Sequence, residues 1–136
     1  MNPKNLLARC RVLLIEDHAL LAEATAEFMR SRELDVRIAS TGREALDTVA
    51  AFHPEIVLCD MRLPDMPGLD VVRALRTITG TKDAVIGMYS AMTASDLEPL
   101  SRQVSSAVNL FLSKPITEEV LDNLISVLKS QAQKSL

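Results

Sequence analysis

Five polar side chains of this sequence stand where short apolar runs end: Glu16, Asp17, Asp60, Ser90 and Lys114. Such apolar runs are typical of buried strands in a parallel sheet, and the carboxyl ends of parallel strands meet at one edge. We therefore expect three carboxylates, one hydroxyl and one ammonium to converge on that edge.

A cluster of this composition is suited to phosphoryl transfer. Three carboxylates within a few ångströms repel one another, and their pKa values rise unless a cation compensates. Hard oxygen ligands suit Mg²⁺ better than zinc, and Mg²⁺ takes one or two carboxylates together with a phosphate oxygen. An Asp carboxylate is a competent nucleophile, while Lys114 and Ser90 can contact phosphoryl oxygens. The residue types thus predict Mg²⁺-assisted formation of an aspartyl phosphate.

Alternating strands and helices must position these side chains. The predicted strands are 12–15, 34–39, 56–59, 84–88 and 108–112. The predicted helices are 19–32, 41–52, 69–78, 95–104 and 117–129. Continuous apolar strands indicate a sheet covered on both faces, and right-handed crossovers place helices on both sides. The sequence therefore predicts an α/β fold, (βα)5, doubly wound around a five-stranded parallel sheet.

Four segments, each at the end of a predicted strand, resemble receiver domains of two-component response regulators. The segment 12–17 is similar to their strand with an acidic pair, and 56–68 closely resembles their phosphorylation-site segment. The segment 89–91 is similar to their switch-hydroxyl segment, and 111–115 to their aromatic-x-x-Lys-Pro signature. The resemblance spans about residues 10–130 and implies the flavodoxin-like fold of receivers.

The resemblance implies a role for each matching acidic residue. Asp60 is expected to accept a phosphoryl group from a histidine kinase or a histidine phosphotransfer protein. Glu16 and Asp17 are expected to hold Mg²⁺ with Asp60, and the backbone carbonyl of Arg62 is a further ligand.

The resemblance also implies a conformational switch. Lys114 contacts the phosphoryl group, Ser90 moves toward it, and Phe111 rotates into the space that is vacated. A cis peptide bond is expected before Pro115, as is usual in the family.

Residues 1–136 are accordingly interpreted as a single receiver domain, with a core at about 10–130 and no output domain. The implied partners are the phosphoryl donor, a downstream output domain or protein, and a second copy of the chain. The chemistry is expected to be limited to self-phosphorylation and self-dephosphorylation, so the chain is not expected to be an enzyme in the usual sense.

Some positions depart from the commonest family pattern. The acidic pair is Glu16-Asp17 rather than Asp-Asp, the switch hydroxyl is Ser90 rather than Thr, and Ala107 stands where Gly is frequent. Pro99 falls within the predicted fourth helix, where Pro removes a backbone donor. Because that helix belongs to the family's signalling face, this departure concerns the mode of output rather than the phosphorylation chemistry.

Composition excludes several other classes of protein. Apolar residues make up 48% and charged residues 24% of the chain, which is typical of a globular domain rather than a disordered one. The net charge of −3 does not favour direct nucleic-acid binding. No apolar run approaches the roughly 20 residues of a membrane span, so a cytoplasmic protein is expected.

Three other functions compete with the receiver hypothesis. An aspartyl phosphatase of the haloacid dehalogenase type would carry a second Asp two residues after the nucleophile, where this chain has Arg62. A flavodoxin-like nucleotide binder would carry a Gly-rich loop after the first strand. An interaction domain with a silent phosphorylation site is the third alternative.

Individual residues also have simpler interpretations. Ser90 could cap the following segment, and Phe111 could be a partly buried aromatic. The side chain of Arg62 either tunes dephosphorylation or is a solvated surface charge, and His18 is interpreted as a helix-start residue. Four methionines near the site are interpreted as packing residues, namely Met61, Met66, Met88 and Met92.

Overall fold

A five-stranded parallel sheet, in the order β2-β1-β3-β4-β5, forms the centre of the molecule. The structure, a computed structural model, describes residues 10–91, 95–96, 98–99 and 106–134. The strands are β1 (Arg11–Ile15), β2 (Asp35–Ala39), β3 (Ile56–Asp60), β4 (Val85–Ser90) and β5 (Leu110–Ser113). Helices with defined ends among the described residues are α1 (Ala19–Arg30), α2 (Gly42–Phe52), α3 (Gly68–Arg76) and α4 (Glu118–Lys134). The predicted flavodoxin-like α/β fold is confirmed.

The side chains of β1 divide between two apolar layers, because neighbouring residues of a strand point to opposite faces. Val12 and Leu14 lie in the layer that contains α1 and α4, while Leu13 and Ile15 lie in the layer that contains α2 and α3. None of the four is more than 1% exposed. Burial on both faces explains why β1 reads as a continuous apolar run.

The register of the central strands sets the positions of the acidic residues. β1 and β3 are neighbours, and Ile15 pairs with Cys59. The next residues along the two strands, Glu16 and Asp60, therefore stand side by side. Asp60 in turn pairs with Tyr89 of β4. β2 lies on one side of β1 and β3 lies on the other, so the strand order changes direction at this point. Ligands of open α/β sheets bind at the carboxyl ends of the strands at such a point.

The loop after β3 is tied to the start of α2. The Thr41 hydroxyl accepts a hydrogen bond from the Glu44 amide at 3.0 Å, which caps the helix. The Asp65 carboxylate accepts from the amides of Gly42 and Arg43 at 2.8 and 2.9 Å. The first amides of a helix have no partner within it, so Asp65 satisfies two of them from another part of the chain.

Some element ends differ from the prediction. α1 ends at Arg30 rather than at residue 32, because the chain turns and Glu33 takes a left-handed conformation with a φ of 68°. β5 begins at Leu110 rather than at residue 108. Just before β5, the Asn109 side chain accepts a hydrogen bond from the Ile86 amide of β4 at 2.7 Å. This amide is therefore bound by a side chain and not by the backbone of a neighbouring strand.

The last helix is longer than predicted. α4 continues to Lys134 instead of ending near residue 129, because no Gly or Pro interrupts its polar end. Of the predicted helix 95–104, residues 95, 96, 98 and 99 are described and are helical. The remaining positions of that helix, and with them the effect of Pro99 on its course, lie outside the described residues. Within the described part of the chain, none of the helices has the length and apolar character needed to cross a membrane.

Candidate functional site

Three carboxylates meet where β1 and β3 end. Glu16, Asp17 and Asp60 each place a carboxylate oxygen within 4.8 Å of those of the other two. Glu16 is 1% exposed, the Asp60 side chain is 14% exposed, and Asp17 is exposed to solvent. The carboxylates that the sequence predicts to be neighbours thus form a series from the buried sheet edge to the surface.

Lys114 joins this cluster from the loop after β5. Its Nζ donates to Glu16 Oε1 at 2.7 Å and to Asp60 Oδ2 at 2.9 Å. Its backbone amide donates to the Ser90 carbonyl at 2.7 Å. The Lys114–Pro115 peptide bond is cis, as predicted. One ammonium therefore bridges carboxylates that belong to the two central strands.

The Glu16 carboxylate has three donors around it. Oε1 accepts from Lys114 and also from the Tyr89 hydroxyl, at 3.2 Å. Oε2 accepts from the His18 amide at 3.4 Å. A buried carboxylate requires such partners, because it has lost most of its contact with water. His18 also begins α1, where its Nδ1 accepts from the Leu21 amide at 3.1 Å, so its interpretation as a helix-start residue is confirmed.

Asp60 ends β3, and its two carboxylate oxygens have different partners. Oδ1 accepts from the Arg62 amide at 3.2 Å, and Oδ2 accepts from Lys114. Gly68, the first residue of α3, lies directly behind it. A Cβ at Gly68 would stand 2.0 Å from the Asp60 carbonyl oxygen. The absence of a side chain at Gly68 therefore allows α3 to begin against the end of β3.

Charge and burial act in opposite directions on these groups. Burial raises the pKa of Glu16, and hydrogen bonding with Asp60 raises it further. Burial also acts to raise the pKa of Asp60, but hydrogen bonding with Glu16 and Lys114 outweighs it and holds that pKa below its ordinary value. The same environment therefore raises the pKa of Glu16 and lowers the pKa of Asp60.

The two neighbouring donors keep their protons. Burial acts to lower the pKa of Lys114, but its hydrogen bonds to Glu16 and Asp60 outweigh burial and raise that pKa. Burial, followed by the charge of Glu16, raises the pKa of Tyr89 well above its ordinary value. Lys114 therefore stays charged, and the Tyr89 hydroxyl donates to Glu16.

The cluster fits a divalent cation such as Mg²⁺. Three carboxylates face one ammonium, so the cluster is negative, and all of its candidate ligands are oxygens. Octahedral Mg²⁺ binds oxygens at about 2.1 Å, which places two of its ligands at most about 4.2 Å apart. Oxygens within 4.8 Å of one another need only small side-chain rotations to reach that spacing. The contact of Arg62 with Asp60 is through its backbone amide, next to the carbonyl that the sequence predicts as a ligand.

The two predicted switch residues lie on adjacent strands. Ser90 ends β4, is 8% exposed and pairs with Ser113 of β5. Phe111 is half-buried in β5 and packs against the apolar layer of α2 and α3. Ser90 is therefore nearer to the acidic edge, and Phe111 lies deeper along the next strand.

Methionines line the loop after β3. Met61, Met66 and Met88 pack in the layer of α2 and α3, which confirms their interpretation as packing residues. Met66 lies so close to α2 that a Cβ at Gly42 would stand 2.7 Å from its Cγ. Met92 lies outside the described residues.

Tyr89 and Asp65 are the site residues that the sequence analysis missed. Tyr89 is included only in the segment 89–91 after the predicted strand and is given no role, although a buried phenol needs a partner for its hydroxyl. Asp65 is included only in the segment 56–68 and is given no role, although Asp is among the best residues for binding the amides at a helix start. Both residue types indicate that the side chain makes a hydrogen bond, but neither type identifies the partner.

Comparison with known proteins agrees with this geometry. A family model described as response regulator receiver domain matches residues 12–126. The DNA-binding response regulator MtrA of Mycolicibacterium paratuberculosis is 33% identical over 102 residues, which are 67% of this chain and 45% of that protein. The regulatory protein LuxO of Vibrio cholerae is 35% identical over 63 residues, which are 46% of this chain and 14% of that protein. The chain spans less than half the length of these relatives.

Solved structures share the same architecture. A CheY-like response regulator receiver domain protein from Methanospirillum hungatei has a TM-score of 0.78 at 19% identity and covers 91% of this chain and 97% of its own. A sensor protein from Polaromonas sp. JS666 has a TM-score of 0.78 at 27% identity and covers 90% of this chain and 98% of its own. The likeness covers about nine-tenths of this chain in both cases.

Proposed function

Because the chain belongs to the response regulator receiver domain family, we propose that Asp60 accepts a phosphoryl group from a histidine kinase or a histidine phosphotransfer protein. The observation that carries this proposal is the Lys114 ammonium, 2.9 Å from Asp60 Oδ2 and 2.7 Å from Glu16 Oε1. A fixed cation beside a nucleophilic carboxylate stabilises the charge that develops on a transferring phosphoryl group.

Asp60 is the nucleophile of the proposed transfer. One of its carboxylate oxygens forms a bond to phosphorus while the bond from phosphorus to the donor's imidazole nitrogen breaks, and the electron pair of that bond leaves with the nitrogen. The hydrogen bonds from Arg62 and Lys114 hold the carboxylate in one orientation for this attack. Lys114 then pairs with a phosphoryl oxygen, and the Ser90 hydroxyl donates to another.

Mg²⁺ is the proposed cofactor. Glu16, Asp17, Asp60 and the backbone carbonyl of Arg62 would hold it, and the close approach of the three carboxylates supports this set. When bound, Mg²⁺ neutralises charge on the carboxylates and on the phosphoryl group. Glu16 and Asp17 orient their oxygens toward the edge of the sheet where Asp60 stands.

Phosphorylation is proposed to change the shape of the face that bears β5. Ser90 moves toward the phosphoryl group and Phe111 rotates into the space that is vacated, which shifts an equilibrium between two states. Ser90 and Phe111 lie on neighbouring strands, two positions apart in the register, and this proximity supports the switch. The altered face signals to an output domain or a separate protein, or binds a second copy of the chain.

The proposal treats residues 1–136 as one receiver domain with its core at about 10–130. It acts in the cytoplasm and contacts neither nucleic acid nor membrane directly. Its own reactions are self-phosphorylation from small donors and self-dephosphorylation, so it is not a classical enzyme. The phosphatase alternative gains no support, because Arg62 stands two residues after the nucleophile and brings only an amide to it.

Intact-mass spectrometry after incubation with acetyl phosphate and Mg²⁺ tests the proposed acceptor. We expect the wild-type chain to gain one base-labile phosphoryl group and Asp60→Asn to gain none. Asp47→Asn, on the exposed face of α2, is the matched control and should be modified like the wild type. Addition of EDTA should prevent modification.

Two results would contradict the proposal. A phosphoryl group that persists in Asp60→Asn would mean that another residue is the acceptor. No modification of the wild type, together with no Mg²⁺ binding, would identify the chain as an interaction domain that works without phosphorylation.

A further inference from the structure

Tyr89 is a buried polar residue near the end of β4, directly before Ser90. It is 0% exposed, and its ring lies in the apolar layer that contains α1 and α4. Its hydroxyl reaches the sheet edge and donates to Glu16 Oε1 at 3.2 Å. A phenol enclosed in this way is bound to one partner, because no water is available to replace it.

The hydrogen bond from the Tyr89 hydroxyl determines the orientation of the Glu16 carboxylate. Oε1 accepts from both Tyr89 and Lys114, and a carboxylate oxygen has two lone pairs in its plane. Among the donors of the described residues, the His18 amide is the one that reaches Oε2, at the long distance of 3.4 Å. With Oε1 occupied by two side-chain donors, Oε2 is the oxygen left for a cation.

The Tyr89 ring also contacts Lys114. The Lys114 Nζ lies 4.7 Å from the centre of the ring, within the range of a cation–π interaction. The ammonium is therefore held between an aromatic face and two carboxylates, those of Glu16 and Asp60. One side chain thus supports both a proposed metal ligand and the proposed phosphoryl-binding cation.

We propose that Tyr89 is a positioning residue of the phosphoacceptor site, whose hydroxyl orients Glu16 toward Mg²⁺ and whose ring supports the Lys114 ammonium. The proposal rests on the function proposed for Asp60. It assigns different tasks to two parts of one side chain, and substitutions can separate them. Tyr89→Phe removes the hydroxyl and keeps the ring, whereas Tyr89→Leu removes both.

Two measurements on the full chain distinguish these tasks. Calorimetric titration with Mg²⁺ alone gives a Kd that does not depend on any phosphoryl donor. The initial rate of phosphorylation by acetyl phosphate, measured across a range of Mg²⁺ concentrations, gives a half-saturating Mg²⁺ concentration and a maximal rate. Melting temperatures without Mg²⁺ report the stability of each variant.

We expect Tyr89→Phe to weaken Mg²⁺ binding about tenfold, as is usual when a group that orients a ligand is lost. Its maximal rate should stay within about twofold of the wild type, because the ring still supports Lys114. Tyr89→Leu should show the same loss of Mg²⁺ affinity together with a maximal rate about fivefold lower.

Thr81→Val is the matched control for the loss of a buried hydroxyl. The Thr81 side chain is 0% exposed and donates to the Leu75 carbonyl at 2.7 Å, away from the acidic cluster. It should lower the melting temperature and leave the Mg²⁺ Kd and the maximal rate at wild-type values.

Equal Mg²⁺ Kd values for Tyr89→Phe and the wild type would overturn the role of the hydroxyl, even if the variant melts at a lower temperature. Equal maximal rates for Tyr89→Leu and Tyr89→Phe would overturn the role of the ring. Failure of the proposed function gives a different result, because the wild type itself would then gain no phosphoryl group.

Discussion

Two aspartates, one at the end of β3 and one in the loop that follows it, face different positive partners. Asp60 faces the Lys114 ammonium, which is a full charge on a side chain. Asp65 faces the amides of Gly42 and Arg43 at the start of α2, where the aligned peptide dipoles favour a negative charge. Identical carboxylates thus serve as a proposed nucleophile in one position and as a helix cap in the other.

The cap predicts how stability depends on pH. The Gly42 and Arg43 amides hold the pKa of Asp65 below its ordinary value of 3.8. A depressed pKa in the folded state contributes stability above the unfolded-state pKa, and that contribution is lost as pH falls through the folded-state pKa. We expect wild type to be more stable than Asp65→Asn at neutral pH, and the difference to shrink below about pH 4.

Urea unfolding of both proteins between neutral and acidic pH measures this difference. Asp47→Asn, in the exposed part of α2, provides the comparison for removal of a charge without loss of the cap. A stability difference for Asp65→Asn that is constant across the whole pH range would contradict the assignment of the cap to the ionised carboxylate.

At the scale of elements, α3 starts close to the end of β3, the strand that carries the proposed acceptor. The Gly68 amide donates to the Met61 carbonyl at 2.9 Å, and no Cβ separates Gly68 from the backbone of Asp60. The short loop between them is closed by a bridge between Arg62 and Pro67. The backbone at the acceptor is therefore held by the helix that follows it.

Gly68→Ala should disturb both the fold and the chemistry. Its Cβ would lie 2.0 Å from the Asp60 carbonyl oxygen, so strand or helix must move. We expect a loss of about 3 kcal/mol in the free energy of unfolding, at the upper end of common single substitutions. Phosphorylation by acetyl phosphate should slow as well, because Asp60 moves with its backbone.

Gly80→Ala is the matched glycine substitution. Its Cβ would meet the exposed His53 side chain, with Nδ1 at 3.2 Å and Cε1 at 3.8 Å, and that side chain can give way. Urea unfolding that finds equal losses for the two variants would show that the contact with Asp60 is not the cause.

At the scale of the whole molecule, the acidic cluster would couple folding to the proposed binding of Mg²⁺. Glu16, Asp17 and Asp60 lie together only when β1 and β3 are paired, so the unfolded chain has no comparable site. A ligand that binds only the folded state adds about 2.7 kcal/mol at a hundred times its Kd. Without Mg²⁺, the Lys114 ammonium offsets one of the three carboxylate charges, so the cluster keeps a net negative charge.

Most substitutions lower the stability of a protein, but Asp17→Asn should not do so when Mg²⁺ is absent. We expect it to match or exceed the wild type in melting temperature without Mg²⁺, since one repelling charge is gone. It should lose most of the rise in melting temperature that Mg²⁺ produces in the wild type. Thermal unfolding with Mg²⁺ and with EDTA measures both effects. The control is Asp122→Asn, at an exposed position of α4, which should respond to Mg²⁺ like the wild type.

The order of elements and the acidic cluster could be predicted because both follow from local patterns. Apolar runs identify the strands, and parallel strands end at one edge, so Asp60 and Lys114 were placed together correctly. The bond between Tyr89 and Glu16 could not be predicted, because 73 residues separate them and the contact depends on side-chain direction. The start of β5 depends on the Asn109 side chain in the same way.

The pairing of Ile15 with Cys59 makes the cluster depend on strand length as well as on residue identity. One residue inserted into β1 would move its two parts by about 3.3 Å relative to each other and turn one part to the opposite face. Every residue of the cluster would still be encoded, yet Lys114 could no longer bridge Glu16 and Asp60. A relative that keeps these residues but differs by one position in a central strand should therefore have lost the site.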